Sequence, residues 1–380
     1  MKHAMISGPT GAIGVALIKN LIADGIRVTA LVRPGSQRVS NILDSPLVEV
    51  VELDISDICK YAADISSSDN DSTESTGIVS KDVDFSDGKG DIDCNKENTD
   101  SSRSVKKHEL DMSDHIDIFY HLGWAGTTGS GRDDCYMQLD NVRYTLDAVG
   151  LASRLGAKAF VGVGSQAEYG RDATPKWQPF HTRPITQYGA AKLSAGHMSR
   201  VYANDLGMAH AWVRVFSVFG PYDRSLIYYV IDKLLRGEHV PLTAGRQMWD
   251  YLYSDDAGRA LKLLGLAMCG DIDVRDAPAY KPDKYIPMTS DRFGAVYDLC
   301  SGETRFLHEY ITELCGVVKE FSDKADESLL GFGEVEYGKK QTMSMYANTQ
   351  NLYHDVKFEP RYSFADGIRE TVRYVMGDMV

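Results

Sequence analysis

From its amino terminus the chain sets short apolar runs between longer segments whose apolar residues recur every three or four positions. His3 to Ser7, Arg27 to Val32, Val48 to Leu53, Ile116 to Trp124, Ala159 to Gly164 and Ala211 to Phe216 are the runs. Short, nearly continuous apolar runs predict strands buried on both faces, as in a parallel sheet. Between them, Ala12 to about Asp24 carries Ile13, Leu17, Leu21 and Ile22 on one stripe, with Gly25 as its stop. Further helices are expected from Tyr136 to Leu155 and from Tyr188 through Met198 and Tyr202. Strands alternating with helices predict an α/β fold with a doubly wound parallel sheet. After Pro221 the order loosens: a helix from Tyr228 to Arg236, a strand and turn from Val296 to Glu303, and a helix from Leu307. We therefore divide the chain into a first domain, 1–221, and a smaller mixed lobe, 222–380, with some later segments returning to the first.

One stretch breaks the pattern. Residues 64–114 hold 14 acidic and 6 basic side chains, many serines and a single aromatic, Phe85. With so little to bury, the segment cannot offset the entropy of ordering, and it reads as a disordered insertion tolerated in a surface loop. It accounts for −8 of the chain's net charge of −13. That balance argues against a nucleic-acid or anionic-membrane surface. The 380 residues are 43% hydrophobic, enough for one large core or two smaller ones. The six cysteines have no paired spacing, so reduced thiols in a cytoplasmic protein are expected, with no metal site. Met1-Lys2-His3 runs straight into a strand without a signal peptide, and no apolar run reaches the length of a membrane span.

The first strand feeds Gly8-Pro9-Thr10-Gly11-Ala12-Ile13-Gly14. Gly8 permits the tight turn, Gly11 lets the backbone approach a pyrophosphate, and Gly14 lets the helix pack on the strand. The free amides of the helix start would hold that pyrophosphate. The second strand ends in Arg33, with Ser36 and Arg38 behind it, and no acid lies between Gly25 and Asp44. An acid there would accept from a ribose 2′-hydroxyl, whereas a guanidinium suits a 2′-phosphate. NADP is therefore favoured over NAD. Farther on, Tyr188 and Lys192 stand four apart, on one helix face. An ammonium near a phenol favours the phenolate, and such a Tyr can exchange a proton with a carbonyl oxygen. Ser165 closes the run from Ala159, at the carboxyl end of a strand, where open α/β sheets bind ligands.

The glycine loop, Ser165 and the Tyr188/Lys192 pair resemble the extended short-chain dehydrogenase/reductases, in the NAD(P)-dependent epimerase/dehydratase branch that works on nucleotide sugars. The resemblance runs from Lys2 to about Tyr374 and implies a Rossmann sheet. It also implies that Tyr188 exchanges the proton, Lys192 holds the ribose and Ser165 orients the carbonyl. Asp54 and Ile55 would contact the adenine, and Leu122 would lie under the nicotinamide ribose. Asn141 would support the active-site backbone, with His121 structural. Trp124 departs from the small residue usual there and either walls the substrate pocket or packs. Gln166 and Ala167 stand where sugar-nucleotide 4,6-dehydratases carry Asp and Glu, so dehydration lacks its acid and base. Glu168 is left either to touch the sugar or to be solvated. Ser217 replaces the usual Asn of the nicotinamide-flanking turn. Trp249 replaces a customary Arg, with Arg246 then meeting a diphosphate and Trp249 stacking on a base or sugar.

Three readings follow. The first is an NADP-dependent reductase of a nucleotide-activated 4-keto-6-deoxy sugar. The second is an NAD-dependent nucleotide-sugar 4-epimerase. The third is a catalytically silent NADP-binding regulator, against which the complete Ser165/Tyr188/Lys192 set speaks. The expected partner is the nucleotide sugar, and assembly as a homodimer stays open.

Overall fold

A computed structural model describes residues 1–62, 110–170, 172–173, 182–271, 293–338, 341–346 and 349–377. Its centre is a seven-stranded parallel sheet. In chain order the first strands and helices are β1 (His3–Ser7), α1 (Ala12–Ala23), β2 (Arg27–Val32), β3 (Val48–Glu52), the short α2 (Cys59–Ala62), β4 (Ile118–His121), α3 (Cys135–Arg154), β5 (Ala159–Ser165) and a two-residue β6 (Asp172–Ala173). They are followed by α4 (Gln187–Asp205), β7 (Ala209–Val215), β8 (Ser217–Phe219), α5 (Leu226–Arg236), β9 (Val240–Leu242), β10 (Met248–Trp249), β11 (Tyr251–Tyr253) and α6 (Ser254–Cys269). The remainder is β12 (Phe293–Leu299), β13 (Arg305–Phe306), α7 (Leu307–Lys319), β14 (Leu330–Phe332), β15 (Ser344–Met345), α8 (Gln350–Val356) and α9 (Phe364–Met376).

The sheet order is β12-β7-β5-β4-β1-β2-β3. Every residue of β1 is buried, as its apolar run demands. On one face Leu17, Ile18 and Leu21 of α1 and Leu261 and Leu264 of α6 cover Ile6, Val28 and Ala30. On the other, Val149, Leu151 and Ala152 of α3 pack with Ala203 of α4 on Phe119 and Phe160. Near its far edge the sheet makes room for one large side chain. Trp212 of β7 lies where Cβ atoms on Gly162 and Gly164 would fall 2.4 and 2.3 Å from its ring. Those glycines are thus dictated by close approach.

A second core gathers Ile227, Ile231 and Leu234 of α5, Ile311 and Leu314 of α7, and Ile368 and Val372 of α9 around Phe219 and Tyr251. Beside it lie the short strands: β13-β10-β15-β6 as one small sheet, and the pairs β11-β8 and β14-β9. β12, late in the chain, returns to pair with β7.

Most of the acidic segment, 64–109, lies outside the described residues, but its last five differ from the expectation of disorder. Leu110 is buried among Phe119, Ile116 and Leu155, and Asp114 pairs with Arg27 at 2.5 Å. Average composition hid the one leucine that reaches the core. Among the described residues no helix is long and apolar enough to cross a membrane, no cluster of side chains could hold a metal, and the cysteines are free thiols.

Candidate active site

Strand order reverses between β1 and β4, and in open α/β sheets ligands bind outside the strand ends at such a point. The glycine loop there is shaped by its neighbours. Gly8 has φ +70°, and a Cβ on it would lie 2.7 Å from the Gly123 nitrogen; one on Gly14 would lie 2.6 Å from the Gly8 oxygen. A Cβ added at Gly11 would meet nothing within 4 Å outside its own turn. This residue is the N-cap of α1, and no side chain caps the helix start, which leaves its first amides without a side-chain partner. Thr10 is held from behind, its carbonyl accepting from Asn41 Nδ2 at 3.0 Å. Ala12 and Ile13 form the first turn, with Ile13 packed on the core.

Arg33 and Arg38 are exposed just past β2, and neither guanidinium has an ion pair or hydrogen bond among the described residues. Asp54 caps the turn 55–57, accepting from the Ser56 amide and hydroxyl at 2.9 Å each. Ile55 lies against Gly123, and Leu122 extends β4 by donating its amide to the Ser7 carbonyl at 3.0 Å. An open glycine and an uncapped helix start fit a dinucleotide pyrophosphate.

β5 and α4 bring Ser165, Tyr188 and Lys192 together. Tyr188 is 8% exposed and Lys192 3%. The Ser165 hydroxyl accepts from the Ala167 amide at 3.1 Å and lies near enough to the phenol to favour its ionised form. Lys192 Nζ donates to the Val163 carbonyl at 2.5 Å and sits 3.6 Å from the centroid of the Trp124 ring. Burial pulls its ammonium down to about 7. The phenol behaves differently from the expectation of an acidified Tyr. Burial raises its pKa, and the Ser165 hydrogen bond and the Arg132 guanidinium oppose that only in part. The ammonium is 6.0 Å from the Tyr188 ring centroid, committed to a carbonyl. Tyr188 therefore holds its proton.

Trp124 packs against Lys192 and Tyr188. Its ring covers Lys192, meets Tyr188 edge-on at 6.2 Å, and donates Nε1–H to Gln138 Oε1 at 2.8 Å. Asn141 accepts from the Ala125 amide at 2.8 Å and donates to the Ala125 carbonyl, the backbone support implied by the resemblance. His121 bridges Ser7 and Thr145, and burial lowers its pKa to about 3, which suits a structural, neutral ring.

Glu168 is neither solvated nor free to meet a sugar. It is fully buried, with one oxygen 2.7 Å from Arg214 Nε and the other accepting from the Ser165 amide at 2.9 Å and Trp212 Nε1 at 3.0 Å. Arg214 also donates to the Tyr169 hydroxyl, which donates to Asp298 at 2.7 Å. This ion pair ties the turn after Ser165 to β7 and β12. A signal was present, since Arg214 interrupts an apolar strand and a charge there needs a buried partner. Gln166, beside it, is half-buried in the turn 166–168.

In the second lobe a cavity of about 550 Å³ is lined by Ser217, Leu242, Gln247, Trp249, Tyr251 and neighbouring residues. Trp249 donates Nε1–H to Ser217 Oγ at 2.6 Å, so these two predicted substrate residues meet. Arg246 does not join them. Its side chain is exposed, and its backbone amide donates to Tyr337.

The fold and site are those of a dinucleotide-binding α/β protein with Ser165, Tyr188 and Lys192 gathered at the carboxyl end of β5. Residues 4–267 match the NAD dependent epimerase/dehydratase family, and the chain belongs to it. A dTDP-glucose 4,6-dehydratase of Xanthomonas campestris pv. campestris is 22% identical over 200 residues, 51% of this chain and 50% of that protein. An ADP-L-glycero-D-manno-heptose-6-epimerase of Alkalilimnicola ehrlichii is 29% identical over 34% of this chain and 42% of its own length. The chain spans about half the length of the curated relatives it matches. Among solved structures, the UDP-glucose 4-epimerase of Thermotoga maritima with UDP-glucose superposes with TM-score 0.69 at 16% identity, over 99% of each chain. The dTDP-glucose 4,6-dehydratase DesIV of Streptomyces venezuelae with NAD bound gives 0.69 at 18%, over 99% of this chain and 97% of that one.

Proposed function

We propose that the protein reduces the keto group of a nucleotide-activated 4-keto-6-deoxy sugar, with NADPH as the reductant. The observation that carries this reading is the commitment of Glu168. Loss of water from a sugar needs a proton donor for the leaving hydroxyl and a base for a carbon-bound proton. In the turn after Ser165, Gln166 and Ala167 offer neither, and the only carboxylate is bound to Arg214 and buried. Hydride transfer to one carbonyl needs less.

The cofactor supplies the hydride when bound. Tyr188, which burial keeps protonated, gives its proton to the carbonyl oxygen, and the Ser165 hydroxyl orients that oxygen. Lys192 stands one helical turn away to hold the ribose, and Arg33 with Arg38 reads the 2′-phosphate. The second-lobe cavity, with the Trp249 ring and the Gln247 amide in its wall, would take the nucleotide. A 4-epimerase using NAD is the second reading, favoured by the similarity to UDP-sugar 4-epimerases and needing the same three catalytic residues.

The test is NADPH absorbance with a panel of dTDP- and UDP-linked 4-keto sugars. The reductase reading expects one NADPH consumed per sugar. Interconversion of C4 epimers without net change in absorbance would replace it with the epimerase.

A further inference from the structure

The loop between β4 and α3 carries a cation onto the face of the catalytic tyrosine. Arg132, in the turn Gly129–Asp133, places its guanidinium carbon 4.1 Å from the Tyr188 ring centroid. The Trp124 ring stands perpendicular to the same ring with centroids 6.2 Å apart, so the phenol has both an indole and a guanidinium for neighbours.

One buried side chain builds this arrangement. Gln138, 1% exposed on α3, accepts from Trp124 through its oxygen. Through its nitrogen it donates to the carbonyls of Gly126 at 3.0 Å and Gly131 at 2.8 Å. Gly131 immediately precedes Arg132, so one amide fixes both neighbours of the phenol. Arg132 is further tied by Nη1 to the Thr127 carbonyl at 2.9 Å, which leaves most of its donors free. Among the described residues it has no ion-pair partner.

We infer that Arg132 is a positioning residue for Tyr188, seating the phenol against Ser165 and supplying the fixed positive charge beside it. The other charged or polar groups facing the phenol among the described residues are Ser165 at the end of β5, Glu168 in the following turn, and Lys192 on Tyr188's own helix. Glu168 acts against ionisation. Lys192 donates one hydrogen bond to the Val163 carbonyl, and its ammonium lies 6.0 Å from the Tyr188 ring centroid. A guanidinium stays charged at any working pH. As the proton leaves Tyr188, Arg132 is thus a further cation, 4.1 Å from the ring centroid, that stabilises what remains. The inference rests on Tyr188 as proton donor, but its test does not need a substrate.

Tyrosines are replaced biosynthetically by a fluorinated tyrosine, which acidifies the phenol into the range where the fold persists. The Tyr188 resonance is assigned by its loss in Tyr188→Phe and titrated by ¹⁹F NMR. Arg132→Gln is expected to raise its pKa by about one unit or more, the usual scale for removing an opposite charge at this range. Arg132→Lys should restore part of the shift, and Gln138→Leu, which frees the turn, should move it in the same direction as Arg132→Gln. A Tyr188 titration identical in Arg132→Gln and the parent would overturn the inference. Equal shifts in Arg132→Gln and Arg132→Lys would overturn the inferred role of its charge. Failure of the parent to oxidise NADPH would bear on the reductase reading alone.

Discussion

Removing the Glu168 carboxylate should damage this protein more than any other single change in the turn that follows Ser165. In Glu168→Leu, Arg214 stays in the interior, 4% exposed, without the carboxylate 2.7 Å from its Nε. Breaking a buried ion pair by deleting one partner typically costs about 3–5 kcal/mol, because the remaining charge is uncompensated. Two donors, the Ser165 amide and Trp212 Nε1, lose their acceptor as well. Each orphaned donor carries a penalty of roughly 1–3 kcal/mol, overlapping with the first since the groups share one site. A loss near 5 kcal/mol is therefore expected. Glu168→Gln keeps an acceptor for both donors and should lose clearly less. Urea unfolding, followed by tryptophan fluorescence and circular dichroism together, measures the difference and checks that one transition is being compared. Because the Ser165 amide is one of the anchors, turnover should fall in Glu168→Leu while cofactor affinity holds. A loss below about 1 kcal/mol for Glu168→Leu, or equal losses for the two variants, would refute the picture of a buried pair bracing the turn at Ser165.

Three further outcomes follow. Arg33→Asp should weaken NADPH by about ten- to a hundredfold and NADH little, since a hydrogen bond to a charged group is worth roughly 1.5–3 kcal/mol; equal losses in a titration would show that Arg33 does not read the 2′-phosphate. Lys192, held at about 7 in the fold against its ordinary 10.5, binds fewer protons folded than unfolded across that window, so the parent's stability should rise with pH from about 7 to 10. Lys192→Met should flatten that slope and be the more stable protein at pH 7, while losing turnover; an unchanged slope in denaturant titrations would contradict the assignment. Replacing residues 64–109 with a short Gly/Ser bridge, and keeping Leu110 in the core, should leave melting temperature and turnover nearly unchanged, whereas loss of folding would mean that the segment packs.

Much of the sheet was legible because buried parallel strands leave an unmistakable residue pattern. β1, β2 and β5 fall where the apolar runs place them, and α1, α3 and α4 start and stop within a few residues of the expected ends. The glycine loop was legible for a related reason, since strand, turn and helix must meet in that order. What could not be read is what depends on distant contacts. β9, β10 and β14 are two or three residues long and acquire partners only through tertiary packing. Glu168 reads locally as a free acid in a polar turn, and only Arg214, on another strand, decides its burial. Tyr188 shows the same limit. Sequence spacing put Lys192 beside it, but the depth of the site and the Val163 carbonyl decide where that charge goes. Arg132 gave no local signal, because a loop of small residues brings it over the ring.

The most direct test of the central claim is a single-turnover measurement of NADPH oxidation by the parent and by Tyr188→Phe, each mixed with a nucleotide-linked 4-keto sugar that the parent reduces. The variant keeps the ring and loses the proton, so cofactor affinity should persist while the chemical step slows by roughly 10²–10⁴-fold, the usual contribution of a positioned general acid. A Tyr188→Phe protein that turned over at near the parent's rate would contradict the account, leaving Tyr188 and Lys192 as no more than two neighbours on a buried helix face.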